Sequence, residues 1–177
     1  MKHLLPILVF LLIPFAAYSQ SDDAKIKSIQ GRYSSIKAEI KKLESSEEAG
    51  IQSPLAVNEL VVNKHNKSWP AVGNYSVIYR FYYKQFGEEP YPDTLIFVTK
   101  KTVSAAREYF EEVLFGETYG VALIRQKDAD GNEHLGYFDG DRLIKYVGQG
   151  DKANKAALVA VQKSTDNYVR MLSLSLN

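Results

Sequence analysis

Two stretches of the chain carry apolar residues at helical spacing, one towards each end. The first opens at Ser21-Asp22-Asp23, a hydroxyl cap followed by carboxylates that favour the positive end of a helix. Its apolar stripe recurs every three or four residues: Ile26, Ile29, Tyr33, Ile36, Ile40 and Leu43. We expect this helix to fade over 44–48. A second helix is predicted from Lys152 to about Leu174, with its inner face formed by Leu158, Val161, Thr165, Tyr168, Val169 and Leu172.

Between these helices, short segments alternate in the manner of β-strands and are separated by loops rich in Gly, Pro, Asp and Asn. The clearest strand is 75–86, whose alternation indicates one buried face and one partly solvated face. Further strands are predicted at 55–64, 94–101, 119–126, 133–138 and 141–147. Residues 107–115 are ambiguous, since their Glu and Ala content suits a helix, but their alternation favours a strand.

The predicted order is therefore one helix, six or seven consecutive strands, and one helix. Short connections between neighbouring strands imply antiparallel pairing, because a parallel pair needs a long crossover connection. We expect an α+β fold with a meander sheet and both helices on one face of that sheet. This element order resembles the cystatin-like or NTF2-like arrangement, in which a sheet curls around a helix. The resemblance concerns the fold and implies no activity.

The amino terminus has the features of a secretory signal peptide. Lys2 is followed by an uncharged run from Leu4 to Ala17, which is shorter than the ~20 apolar residues that span a bilayer. Small residues at Ala17 and Ser19 predict cleavage after Ser19. We therefore expect 1–19 to be a signal peptide and 20–177 a single globular domain. Gln20 directly after this cleavage position resembles exported proteins of one large phylum of Gram-negative bacteria.

The amino-acid composition limits the cellular locations and the kinds of chemical site that we expect. The chain has no cysteine, which excludes a lipidated cysteine, disulfides, thiol catalysis and thiolate metal sites. We expect a soluble protein in the periplasm or outside the cell, and not a lipoprotein. Acidic and basic residues balance beyond the leader, which argues against a nucleic-acid partner. No later apolar run is long enough to predict a membrane span.

The sequence contains few residues that suggest catalysis or metal binding. Asp128, Asp130 and Asn132 have the spacing of calcium ligands, but Glu133 stands where the calcium loop requires glycine, so a polar hairpin turn is favoured. His65 and His134 are the only histidines outside the leader, and paired acids such as Glu111 and Glu112 are not a specific signal. The sequence predicts no cofactor and no metal, and it favours a non-catalytic protein. The alternative is a hydrolase of the cell envelope that depends on carboxylates or on His65.

Aromatic residues are concentrated between 69 and 86, and ordinary packing within a strand accounts for such residues. A binding function would use the same rings as a rigid contact surface for a protein, peptide or carbohydrate partner. If the odd positions of 75–86 form the core, Arg80 and Tyr82 lie on the other face. We therefore name Trp69, Tyr82, Arg80 and His65 as the predicted ligand-binding residues.

The apolar stripe of the first helix has two interpretations. It either packs on the sheet of the same chain, which we favour, or it pairs with a second copy of the helix in a weak dimer.

Overall fold

The computed structural model describes residues 13–45, 54–65, 67–70, 73–84, 95–117, 120–149 and 152–176. A long helix, α1 (Ile13–Ser45), precedes the strands. The strands are β1 (Leu55–Val62), β2 (Ser68–Trp69), β3 (Gly73–Lys84), β4 (Leu95–Ser104), β5 (Arg107–Phe115), β6 (Val121–Lys127), β7 (Glu133–Asp139) and β8 (Arg142–Gly148). Two helices follow, α2 (Lys152–Lys163) and α3 (Asp166–Leu176). This order confirms the predicted α+β class, and the strand expected at 107–115 is β5.

The strands form one antiparallel meander in the order β1-β3-β4-β5-β6-β7-β8, and the two-residue strand β2 also pairs with β3. Directly paired residues place their side chains on the same face, so the register defines rows across the sheet. One row contains Tyr79, Lys100, Glu111, Gln126 and His134. The next row, on the opposite face, contains Arg80, Thr99, Glu112, Arg125 and Leu135.

The helices cover opposite faces of this sheet, which corrects the expectation that both would lie on one face. The stripe of α1, with Ile26, Ile29 and Ile40, packs against the face that carries Phe97 and Leu114 (the α1 face). Leu158 of α2 and Leu172 of α3 pack against the face that carries Phe81 and Val113 (the α2/α3 face). The sheet thus lies between two helical layers instead of curling around one.

The carboxyl-terminal half of β3 explains why helices pack on both faces of the sheet. Phe81 and Tyr83 belong to the core beneath α2 and α3, while Tyr82 between them belongs to the core beneath α1. All three side chains are at most 5 % exposed. A strand that is apolar on both faces must be buried on both faces, as in sheets that lie between layers of helices.

Helix α1 differs from its prediction at its start. The described helix already includes Ile13, ahead of the cap expected at Ser21, so Ser21 lies inside the helix. The predicted stripe is confirmed, because its six residues pack on the α1 face. No helix in the described ranges is both long enough and apolar enough to cross a membrane.

The predicted carboxyl-terminal helix is interrupted at Ser164 and Thr165. The Ser164 hydroxyl donates to the carbonyl of Val161 (2.9 Å) and the Thr165 hydroxyl donates to the carbonyl of Gln162 (2.8 Å). Such side-chain bonds compete with the regular helix ladder. The predicted inner face survives the break, since Leu158, Tyr168 and Leu172 all belong to the core.

Candidate functional site

The four residues predicted to bind a ligand do not come together in one site. Trp69 is 56 % exposed in β2, and His65 is exposed in the turn after β1. Arg80 is also exposed, and its guanidinium pairs with Glu59 at 2.8 Å. Tyr82 is only 1 % exposed beneath α1, where its hydroxyl donates to Glu44 at 2.6 Å.

Arg80 and Tyr82 meet at Glu44, because the Arg80 guanidinium also lies 3.3 Å from that carboxylate. Within the described ranges, neither Arg80 nor Tyr82 forms a hydrogen bond or an ion pair with Trp69 or His65. The prediction assumed that the even face of β3 would be open to solvent. Helix α1 covers that face at Tyr82, so the ring packs against Phe97 and is not presented to solvent.

The α1 face contains a buried carboxylate, Glu112, that holds the helix to the sheet. Glu112 has no exposed side-chain surface, and it accepts hydrogen bonds from Tyr33 and Lys37 of α1 and from Arg125 of β6, at 2.5, 2.5 and 3.0 Å. Burial pushes the pKa of Glu112 upward, but hydrogen bonds from Lys37, Tyr33 and Arg125 and the charge of Lys37 together outweigh burial and hold the pKa below its ordinary value. All of these partners are internal, so this cluster is a structural anchor.

Solvent-accessible cavities lie on the opposite face of the sheet, the α2/α3 face. Strands β4 and β5 extend beyond the part of the α2/α3 face that the apolar core fills, and their positions on that face there include the polar residues Lys100, Thr102, Tyr109 and Glu111. A cavity of about 200 Å³ opens at this end of the sheet. We call it the polar cavity, and its lining includes Lys100, Thr102, Tyr109, Glu111, Gln126 and His134.

Glu111 forms the floor of the polar cavity and is 9 % exposed. One of its carboxylate oxygens accepts a short hydrogen bond from the Tyr168 hydroxyl of α3, and the other accepts one from the Gln126 side chain at 2.8 Å. Burial raises the pKa of Tyr168, and the nearby charge of Glu111 raises it further. The carboxylate is therefore held in place by two donors, and the tyrosine stays a neutral donor.

His134 lines the same cavity and is 6 % exposed. Its Nδ1 lies 2.8 Å from the Tyr146 hydroxyl, and its Nε2 lies 3.8 Å from an oxygen of Asp128. The Asp128 carboxylate accepts bonds from the backbone of Asp130 and Asn132 at 3.0 and 2.8 Å. This pattern confirms the predicted polar hairpin turn. Within the described ranges, no three His, Asp or Glu side chains are grouped closely enough to hold a metal ion.

A second cavity, of about 420 Å³, adjoins the polar cavity and is called the basic groove below. Lys100 lines both spaces, and its ammonium lies 5.8 Å from the centre of the Tyr79 ring. Arg170, Asn167, Tyr168, Met171 and Leu174 of α3 supply most of the remaining lining. Together the two cavities give the α2/α3 face a continuous surface of rings, amides and charges.

Sequence reasoning treated Glu111 as one of many acids and His134 as the start of a strand, and it did not connect them. The available signal was a run of polar residues at inward strand positions, such as Lys100 and Thr102 of β4. That signal becomes informative only with the register, because the register places Lys100 beside Glu111 and Gln126 beside His134.

Comparison with protein-family models, with curated proteins and with solved structures gives no significant match, so no family assignment follows.

Proposed function

We propose that this chain is a non-catalytic binding protein that holds a small polar ligand, or one residue of a peptide or glycan, in the polar cavity. The observation that supports this is the pairing of a 39 % exposed ring, Tyr109, with the buried polar side chains of Glu111 and His134 and the half-buried amide of Gln126. Ligand sites typically combine an aromatic wall with a few fixed polar groups. An exposed tyrosine also gives large contact area at low entropic cost.

The hydrogen bonding of the cavity favours binding over catalysis. Each oxygen of Glu111 already accepts one internal hydrogen bond, so this carboxylate is held in a fixed orientation and keeps one further acceptor site on each oxygen for a donor group of a ligand. A catalytic base needs a nitrogen that can reach the proton it removes. The Nδ1 of His134 is already engaged with the Tyr146 hydroxyl. The site is thus better suited to recognise hydrogen-bonding groups than to transfer protons.

A hydrolase is the second candidate, and one observation favours it: Asp128 lies 3.8 Å from His134 Nε2, a pairing that can orient an imidazole. Turnover of simple p-nitrophenyl esters or glycosides would support this candidate if the His134→Asn variant lost that turnover. Such a result would overturn the non-catalytic proposal. We expect no turnover above background.

The binding proposal is tested by NMR titration with a panel of monosaccharides and N-acetyl amino-acid amides. We expect saturable shifts at the amides of Thr102, Gln126 and His134 for at least one compound. Tyr109→Ala should weaken that compound at least tenfold, because it removes the exposed ring. Trp69→Ala is the matched control, since Trp69 is also an exposed ring but is not among the described residues that line the cavity. Binding that is lost in Trp69→Ala and kept in Tyr109→Ala would contradict the proposed site.

We further propose that the protein is exported to the periplasm or the cell exterior. Lys2 and the uncharged run from Leu4 to Ala17 support this proposal. Mass spectrometry of the mature protein should find an amino terminus at or near Gln20. Recovery of the chain with Met1 intact, under conditions in which other exported proteins are processed, would contradict it.

A further inference from the structure

We infer that the basic groove binds the carboxylate of an amphiphilic ligand, between Lys100 and Arg170, with the apolar part of that ligand against α3. This inference deepens the proposed binding function and rests on it. It assigns a ligand class to the groove beside the polar cavity.

The charge of the groove is one-sided. Lys100 of β4 and Arg170 of α3 both line it, and none of its described lining residues is acidic. Neither cation forms an ion pair with a described residue, whereas Lys37 pairs with Glu112 and Arg142 with Asp22. Two cations that share a cavity and have no ion-pair partner among the described residues favour an anion there, and a guanidinium suits the two oxygens of a carboxylate.

Glu111 is the acidic group nearest to Lys100 in the sheet register. Its two oxygens accept hydrogen bonds from Tyr168 and Gln126, and it forms no ion pair with Lys100 in the described ranges. The ammonium therefore remains available to a bound anion.

The lysine is also held in position. Its ammonium lies over the ring of Tyr79, a cation–π arrangement that restrains it without neutralising it. Tyr79 is itself fixed between two rings, with centroid distances of 6.1 Å to Phe81 and 6.2 Å to Tyr168. A preorganised cation loses less conformational entropy when it binds a ligand.

The outer wall of the groove is apolar. Leu174 is 73 % exposed, the largest exposed fraction among the described large hydrophobic residues, and Met171 lies one helical turn away in the same wall. Met and Leu side chains of this kind form adaptable apolar contacts. The Asn167 amide adds a hydrogen-bond donor. Cations on one side and apolar side chains on the other match an amphiphilic anion, and about 420 Å³ lies within the usual size range of ligand sites.

A charge-matched pair of probes tests the inference: 4-phenylbutyrate and its neutral amide, titrated into the protein by calorimetry. We expect the carboxylate to bind at least tenfold more tightly than the amide. Lys100→Gln and Arg170→Gln should each weaken the carboxylate about five- to tenfold and leave the amide unchanged. Lys155→Gln is the matched control, because Lys155 also lies over a tyrosine ring, 5.4 Å from that of Tyr146, but does not line the groove. Raised salt should reduce the preference for the carboxylate.

Equal affinity for the two probes would overturn the inference, as would carboxylate binding that neither charge-removing variant weakens. Either result would leave the proposed binding function intact if the panel compound still binds in a Tyr109-dependent manner. The opposite outcome is also informative. If the carboxylate binds tightly and depends on Lys100 and Arg170, but no compound of the panel depends on Tyr109, the groove is supported as a binding site and the polar cavity is contradicted. Circular dichroism of the variants should match the parent protein, since Arg170 is exposed and Lys100 is partly exposed.

Discussion

Glu111 and Glu112 are consecutive residues of β5, yet each carboxylate is buried beneath a different helix. Glu111 accepts a hydrogen bond from Tyr168 of α3, and Glu112 accepts one from Tyr33 of α1. Successive side chains of a strand point to opposite faces, so this pair connects the central strand to both helical layers. The two tyrosine–carboxylate bonds fix α1 and α3 on either side of the same strand.

Removal of the Glu112 charge should destabilise the fold strongly. Glu112→Gln leaves Lys37 and Arg125 without their buried partner, and we expect the free energy of unfolding to fall by about 2–4 kcal/mol. Glu59→Gln is the control, because Glu59 is 45 % exposed in its pair with Arg80 and should cost less than about 1 kcal/mol. Urea denaturation measures both. Equal losses would show that Glu112 is not the main anchor of α1.

The lowered pKa of Glu112 also predicts how stability depends on pH. A carboxyl group whose pKa is lower in the folded state stabilises the fold above its unfolded-state pKa, here near 4.5, and loses that contribution as the pH falls through the folded value. The parent protein should therefore lose stability more steeply than Glu112→Gln between about pH 5 and pH 3. Asp22, Asp128 and Asp139 also have lowered pKa values, but they titrate in both proteins and cancel in the difference. Parallel pH profiles would contradict this assignment.

Two glycines should respond in opposite directions to substitution by alanine. A Cβ on Gly136 would lie 2.9 Å from a ring carbon of Phe138 and 3.2 Å from a methyl carbon of Leu158, both in the closed core. Gly136→Ala should therefore cost about 1–3 kcal/mol through overpacking. Gly31 lies on the exposed side of α1 with no atom within 4 Å of the added carbon, so Gly31→Ala should stabilise by about 0.5–1 kcal/mol. Thermal unfolding of the two variants should shift to opposite sides of the parent transition.

Tyr168→Phe tests the second tyrosine–carboxylate bond. It removes one of the two donors to the buried Glu111 carboxylate, and we expect a loss of about 1–3 kcal/mol. Tyr137→Phe is the comparison, since among the described residues the Tyr137 hydroxyl has one hydrogen bond, accepted from the neutral Gln30 amide at 3.1 Å, and its loss should cost about 1 kcal/mol or less. If the two substitutions have the same cost, the charge of Glu111 does not strengthen its bond to Tyr168.

Much of the fold could be read from local pattern. The stripe from Ile26 to Leu43 and the alternation of β5 follow from the periods of helix and strand, which do not depend on distant residues. The break after Lys163 was missed because Ser164 and Thr165 end the helix through side-chain bonds that hydrophobic periodicity does not report.

The candidate site was less accessible to sequence reasoning. Lys100, Glu111 and His134 lie on three separate strands, and only the register places them in one row. The four residues named from the sequence, Trp69, Tyr82, Arg80 and His65, were chosen for their residue types and for an assumed open face. As ligand-binding residues they remain a prediction, although Tyr82 is covered by α1.

The sequence by itself determined the α+β class, the order of the elements and the apolar face of each helix, because these properties depend on spacing along the chain. Tertiary structure decided that α1 and the carboxyl-terminal helices cover opposite faces and that a polar row stays open beyond them. The strand between Phe81 and Tyr83 is apolar on both sides, and its alternation cannot specify which helix covers which side. That choice depends on contacts between residues far apart in sequence, such as Tyr33 with Glu112 and Tyr168 with Glu111.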